Sequence, residues 1–314
     1  HIQIGRQMMI KRIREIEQYL DRENPRVIGV AAAEDQDIME LVKEMEKRRI
    51  ARFVLVGDGG KITELLEENG ISEDTAKVVN CQDHGEAART VVSLAKSGEC
   101  DLIMKGNLHT SVFLKAVLDK ENGLNTGKLL SQITVYDKLD GAGIQLMTDC
   151  AMAIEPGLED KKAIIENAVE LMRRLGYDCP RVALISALEV VNPKIPDTME
   201  AAILSKMCDR GQIKNCIVDG PLALDNAVSE EAARHKNITS PVAGHADILV
   251  FPNLQVANCV FKTLIFFAKM DTAAVIMGTK APVVMTSRTD TVENKMMSIM
   301  FSIYLSGKPD VSHS

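Results

Sequence analysis

The sequence predicts an α/β fold, and three observations carry that prediction. Short β-branched runs alternate along most of the chain with longer stretches whose apolar residues recur three and four apart, the pattern of strands alternating with amphipathic helices. Polar, often glycine-containing clusters follow several of those strands, at the ends where open α/β sheets hold their ligands. The composition is globular: of 314 residues, 46% are hydrophobic and 26% charged, with 10 Pro and 20 Gly. That is enough apolar surface for a sizeable core and too much for a disordered chain. The length suits two domains or one large α/β unit, with no need of disulfides.

The elements follow in order. Strands are predicted at 26–32, 51–57, 77–81 and 101–105, with helices at 35–49, 61–69, 85–96 and 111–120 between and after them. From 122 to 140 the rhythm changes, with Gly123, Gly127, Gly141 and Gly143 around two extended stretches, 129–136 and 144–147. This is the expected crossing between domains. Helices then follow at 160–175, 198–210, 224–235 and 255–269, with strands at 182–186, 215–218 and 247–251. A strand pair at 272–285 precedes a last helix, in which Val292, Met296, Ile299, Met300 and Ile303 share a face and which Gly307 and Pro309 end.

Several function classes are excluded. Lys and Arg number 37 against 44 Asp and Glu, a net charge of −7, which argues against a broad nucleic-acid footprint. The longest apolar stretches, such as 263–268 and 281–285, fall far short of the roughly 20 residues a bilayer crossing needs. Seven cysteines without a C-x-x-C pair point to a reducing cytoplasm with thiols buried as small hydrophobes, and no N-terminal signal peptide is apparent. His1 to about Gln7 carries no weight in the functional reading. No glycine-rich dinucleotide or P-loop pattern occurs, and the run from Val56 to Lys61 reads as a turn opening a helix. No spacing of His, Cys and carboxylates suggests a metal.

Four polar clusters remain. Lys105, Gly106, Asn107, His109, Thr110 and Ser111 link a strand to a helix. Free N–H groups at that helix start could hold phosphate oxygens, or Thr110 or Ser111 could simply cap the helix. Asp219-Gly220-Pro221-Leu222, with Asp225, follows a strand and either contributes to a site or turns into the next helix. In the third cluster, beginning at Phe251-Pro252-Asn253, Asn258 and Lys262 stand four apart, on one helix face, where together they could meet an anion. Ser287, Arg288, Asp290 and Glu293 supply a hydroxyl, a guanidinium and carboxylates that could orient a phosphoryl group and polarise a carbonyl. Asp290 and Glu293 also fit a capping box.

Taken in order, Asp219-Gly220-Pro221-Leu222, Ser240-Pro241-Val242-Ala243-Gly244 with Ala246-Asp247, Phe251-Pro252-Asn253-Leu254, Asn258 with Lys262, and Ser287-Arg288 resemble the phosphate acetyltransferase/butyryltransferase family. Gly106 to Ser111 is similar to the family's Gly-x-x-His-Ser/Thr stretch, and the run 219–229 is closer to the butyryl branch. The resemblance implies reversible transfer of a short acyl group, butyryl favoured, between coenzyme A and inorganic phosphate. It implies two α/β domains with an interdomain cleft, isocitrate/isopropylmalate dehydrogenase-like. By that analogy the last helix returns to the first domain, giving 1–139 plus 289–314 and 140–288. A homodimer or higher homo-oligomer is implied as well, with CoA as a substrate and no tightly bound cofactor, metal, nucleic acid or membrane.

The chemistry suits these residues. In either direction negative charge grows on the acyl oxygen, and Ser287 is the expected donor to it. Arg288 is expected to grip phosphate with two nitrogens. The CoA thiol needs a base to attack acyl phosphate, and Asp290 and Glu293 are the candidates, because Asn294 stands where the acetyl branch has a carboxylate. Lys105, Gly106, His109, Thr110, Ser111, Lys115, Asp219, Asn258 and Lys262 are the expected phosphate and CoA residues. Lys115 stands one residue off the register of a family arginine. Two rivals stay open: an NAD(P)-dependent decarboxylating dehydrogenase of the same architecture, and a non-catalytic binder of acyl phosphate or acyl-CoA.

Overall fold

The computed structural model describes residues 9–72, 74–81, 83–287 and 289–307, which form two compact units. The first unit holds 14–128 and 273–307, and the second holds 9–13 and 129–272 of the described chain.

In the first unit, β1 (Arg26–Ala31), β2 (Ala51–Gly57), β3 (Ala76–Asn80) and β4 (Leu102–Lys105) alternate with α1 (Gln36–Arg48), α2 (Gly59–Asn69), α3 (His84–Ser97) and α4 (Thr110–Val117). Asp35, Asp58 and Asp83 cap the first three helices, each accepting a backbone N–H of the first turn and so satisfying a donor the helix itself cannot. α1 buries Ile38, Leu41, Val42 and Met45, the three-and-four spacing that turns one stripe to the sheet. Gly70, at φ 63°, and Gly98, at φ 81°, end α2 and α3 in the left-handed region.

The second unit begins with β5 (Ser131–Asp137) and β6 (Ile144–Thr148), which pair antiparallel. There follow α5 (Leu158–Arg174), β7 (Arg181–Ile185), α6 (Pro196–Asp209), β8 (Ile217–Leu222), α7 (Leu224–Val228), α8 (Glu230–His235), β9 (Ile248–Val250) and α9 (Leu254–Phe266). Within this unit the strands run in the order β5-β6-β9-β7-β8, and every pair after the first is parallel. Met147, Ala183, Leu249, Phe251 and Phe261 lie in its core.

The chain then re-enters the first unit as β10 (Ala273–Met277), β11 (Val283–Val284) and α10 (Val292–Ser306). β11 pairs parallel with β4, so the first sheet runs β11-β4-β1-β2-β3. The chain runs outward from β1 to β2 and β3, then crosses back to β4 on the other side of β1, which makes the β1/β4 boundary a topological switch point. α10 is buried from Asn294 to Leu305, and the hydroxyls of Ser298 and Ser302 donate to the carbonyls of Asn294 and Ser298, at 2.9 and 2.8 Å. Local hydrogen bonding lets these polar residues sit in a core helix.

Several expectations change. The chain passes between the units at 128/129 and 272/273, where the sequence reading put 139/140 and 288/289. At the first crossing the shift has a simple cause: β5 is hydrogen-bonded to β6, which draws the chain from 129 on into the second unit. The helix expected at 224–235 breaks at Ser229, whose side chain accepts from Ala232 N–H and starts α8. The loop expected at 219–222 is the end of β8. β8 is an edge strand, where the missing N–H of Pro221 costs no ladder bond. Cys179 and Cys259 are exposed, so thiol burial holds for Cys100 and Cys150 but not throughout. Among the described residues no helix is long and apolar enough to cross a membrane, and no cluster of His, Cys, Asp and Glu could hold a metal ion.

Candidate active site

The switch point of the first sheet carries a small crevice. The end of β1 is stitched to the loop after β4: Gly106 N–H donates to Ala31 O at 2.9 Å and Asn107 N–H to Ala32 O at 2.8 Å. A side chain at Gly106 would put its Cβ 2.3 Å from Ala32 O and 2.6 Å from Ala31 O, so only glycine allows this approach. Lys105 Nζ folds back to the carbonyls of Gly106 and Leu108, both at 3.1 Å, and braces the loop.

Ser287 enters from the end of β11. Its crevice is shared with Lys105, Gly106, Asn107, Asp35, Asp37, Thr286 and Lys295. The Ser287 backbone N–H donates to Asp290 Oδ2 at 2.8 Å, while Asp290 N–H returns to Ser287 O at 3.1 Å, closing a tight turn. The Ser287 and Thr289 hydroxyls are 3.0 Å apart. Asp290 Oδ1 is buried without a hydrogen-bond partner among the described residues. Arg288, the expected phosphate ligand, lies outside the described residues.

The two carboxylates expected to be alternative bases part company. Glu293 sits in the first turn of α10 and pairs with Arg14 at 3.4 Å. The capping-box reading also fails, because Thr291 is the N-cap and accepts from Asn294 N–H at 3.2 Å. Asp290, one residue outside that cap, is held instead by the Ser287 turn.

On α4, His109 occupies the N-cap position without a side-chain cap, and Thr110 and Ser111 are the first two helical residues. The expected capping by either hydroxyl is therefore corrected: a residue already inside the helix cannot fold back onto its first free N–H groups. His109, Thr110, Ser111 and Lys115 are all exposed. Lys115 lies in a groove between α3 and α4 rather than in the Ser287 crevice.

Asp219, Asn258 and Lys262 belong to the second unit. Asp219 Oδ1 accepts its neighbour Gly220 N–H at 2.8 Å, and α7 begins after Ala223 with no side-chain cap. Asn258 Nδ2 donates to Cys150 O at 3.2 Å, and the Lys262 ammonium stands 4.9 Å from the Phe261 ring centre. Asn258 therefore touches a loop that the sequence reading overlooked. There the buried Asp149 accepts the N–H groups of Ala151, Met152 and Ala153 at 2.8–3.2 Å. Burial pushes the Asp149 carboxyl above its usual range despite those bonds.

Asp35, Asp37 and Lys295 were also missed. Asp35 was within reach, since it too follows a predicted strand. Lys295 gave no signal, because its ammonium is nearly buried and pairs at 3.0 Å with Asp37, 258 residues away.

Comparison with known proteins places the chain in a family. Residues 86–303 match the family model for phosphate acetyl/butaryl transferase. The chain is 42% identical to the phosphate butyryltransferase of Clostridium acetobutylicum over 95% of its length and 99% of that protein. It is 46% identical to the phosphate acetyltransferase of Thermotoga maritima, over 88% of this chain and 93% of the other. Among solved structures it resembles a branched-chain phosphotransacylase from Enterococcus faecalis V583, with a TM-score of 0.79 and 35% identity over 90% of this chain and 99% of that one. With most of its length matched at such identities, the chain belongs to the phosphate acetyltransferase/butyryltransferase family.

Proposed function

We propose that this protein is a phosphate acyltransferase that moves a short acyl group reversibly between coenzyme A and inorganic phosphate. In one direction a phosphate oxygen attacks the thioester carbonyl, the C–S bond breaks, and acyl phosphate and CoA result. In the other the CoA thiolate attacks acyl phosphate and releases phosphate. Holding both reactants together makes either step effectively unimolecular, with no need of an acyl-enzyme.

The observation that carries the reading is the Ser287–Asp290 turn at the rim of the switch-point crevice. Ser287 Oγ serves as donor to the acyl oxygen as charge develops there. Arg288 grips phosphate or the phosphoryl end of acyl phosphate. Asp290 is the base that takes the CoA proton. Its Oδ2 is spent on the Ser287 N–H while Oδ1 has no hydrogen-bond partner among the described residues, whereas Glu293 is turned to Arg14. Lys105, Gly106, His109, Thr110, Ser111, Lys115, Asp219, Asn258 and Lys262 bind phosphate or CoA in this reading. The reading includes a two-domain plan of the isocitrate dehydrogenase kind, a homodimer or higher homo-oligomer and a cytoplasmic setting.

We favour butyryl as the acyl group, because the run 219–229 is closer to the butyryl branch. Relatives of both names match this chain to similar extents. One methylene in an apolar pocket is worth only about 1–3 kcal/mol. The test is thiol release from acetyl-, propionyl- and butyryl-CoA, with and without phosphate. Phosphate-dependent release, fastest with butyryl-CoA, is the expected result. Binding without release would leave a silent binder, and NADH formation from a hydroxy acid would identify a dehydrogenase.

A further inference from the structure

The end of α6 and the residue before β8 are both cysteines, and acyl transfer makes no use of either. We propose that Cys208 and Cys216 form a redox modification site: a thiol pair that a small-molecule disulfide converts into an intramolecular bridge, tying α6 to β8, and that excess thiol reopens. The site is independent of the acyltransferase reading and shares no residue with it.

The backbone brings the two together. Ile217 N–H donates to Pro180 O at 3.1 Å, so residue 217 turns its backbone groups to β7, and its neighbours in the strand turn theirs the other way. The carbonyls of Cys216 and Val218 therefore look out from the open side of β8, an edge strand. α6 meets them there. Ser205 Oγ donates to Val218 O at 3.1 Å and Cys208 Sγ to Cys216 O at 3.5 Å. Positions three apart share a helix face and carbonyls two apart share a direction, so the two contacts form a short ladder that fixes α6 against β8.

The connection between them is tight. Gly211 N–H donates to Cys208 O and Gln212 N–H to Met207 O, both at 2.9 Å, and Ile213 is buried. Gly211, at φ 73°, and Asn215, at φ 62°, take the left-handed turns that carry the helix into the strand. The side chains of Cys208 and Cys216 are also in hydrogen-bond contact with each other. Closing a bridge thus asks for side-chain rotation rather than movement of either backbone.

The surroundings set the order of the steps. Burial, and after it the adjoining Cys208 thiol, pushes the Cys216 thiol above its usual range. Cys216 is therefore a weak first nucleophile. Cys208, half-buried, gives its proton to solvent and attacks one sulfur of the small disulfide; that S–S bond breaks, a thiolate leaves, and a mixed disulfide forms on Cys208. Cys216 then loses its proton and attacks the Cys208 sulfur, displacing the second thiolate. Proximity offsets its weak nucleophilicity in this step. The two leaving thiolates take up the two protons, so the cysteine pair is oxidised and one small disulfide is reduced to two thiols.

The experiment incubates the reduced protein with oxidised glutathione, alkylates it and digests it with trypsin, which cuts between the cysteines after Arg210 and Lys214. The expected product is a linked pair of peptides carrying Cys208 and Cys216, two hydrogens lighter than their sum and separated by dithiothreitol. The oxidised protein should melt roughly 5 °C above the reduced one. Dithiothreitol should reverse that gain, and Cys208→Ser, which keeps a donor for the Cys216 carbonyl, should not show it. Cys208 and Cys216 recovered unlinked, as free thiols or as glutathione adducts, overturn the proposal, and so does a bridge from Cys216 to the exposed Cys179. The peptide readout is made on the wild type, so it decides the matter even where the variant folds poorly.

Discussion

Asp290 Oδ2 accepts the backbone N–H of Ser287 at 2.8 Å, so one carboxylate fixes the serine at the crevice rim while its second, buried oxygen has no hydrogen-bond partner among the described residues. Asp290→Asn preserves the shape of that turn but cannot take a proton. General-base contributions are typically 10²–10⁴-fold, and a loss of kcat of about 10²-fold or more is expected in the direction that consumes CoA. Stopped-flow assay of acyl phosphate with free CoA checks it, and a variant of full activity would return the role of base to another group.

Glu293→Gln should behave differently. It removes a partly exposed pair with Arg14, worth about 0.2–1 kcal/mol. The expected result is a slightly lower melting temperature with kcat within about twofold of wild type. A large loss of turnover would instead place Glu293 in the chemistry.

Gly106→Ala tests the stitching of β1 to the β4 loop. The added Cβ would stand 2.3 Å from one backbone oxygen and 2.6 Å from another, and neither can swing aside as a side chain would. Overpacking of this kind costs about 1–3 kcal/mol. The urea midpoint should fall, and phosphate-dependent turnover should fall with it because the Lys105 loop is displaced.

Arg288→Ala should raise the KM for phosphate and for acyl phosphate by at least about tenfold, since a bidentate charge-assisted contact is lost. The KM for CoA should change much less. Steady-state kinetics with each substrate varied in turn separates the two.

The second unit carries a pH-dependent element of its own. Asp247 is buried and would be raised by that alone, but hydrogen bonds from Arg181 at 2.9–3.2 Å and Lys138 at 2.7 Å outweigh burial and lower its pKa. The stability it contributes is complete above the unfolded value of about 3.8. It is lost as pH falls through the lower folded value. Asp247→Asn should therefore destabilise at pH 7 by about 3–5 kcal/mol, with the gap from wild type closing in acid. Urea melts at pH 7 and in acid check both the size and the sign.

Thiol chemistry offers a last check, and it bears on assays that follow free CoA. Burial pushes the thiols of Cys100 and Cys150 up to about 12, while Cys179 and Cys259 are exposed. Native protein should give a fast reaction with Ellman's reagent at Cys179 and Cys259. Cys100 and Cys150 should react only on unfolding.

The sequence by itself determined most of the element order and pointed to the family. Hydrophobic spacing is a local property, and α1, α2, α3 and α5 appear close to where it put them. The Ser287–Asp290 cluster was legible for the same reason: its parts are three residues apart. Where hydrogen bonding across the sheet decides, the local signal fell short. The passage between units moved from 139/140 to 128/129 because β5 pairs with β6, and no periodicity states a strand's partner. Only the tertiary structure gave Asp290 and Glu293 different partners, one the Ser287 turn and the other Arg14. Only it brought Lys295 to Asp37. A side chain's charge is written in the sequence, but its neighbours are set by how distant segments pack, and those neighbours determine what the charge can do.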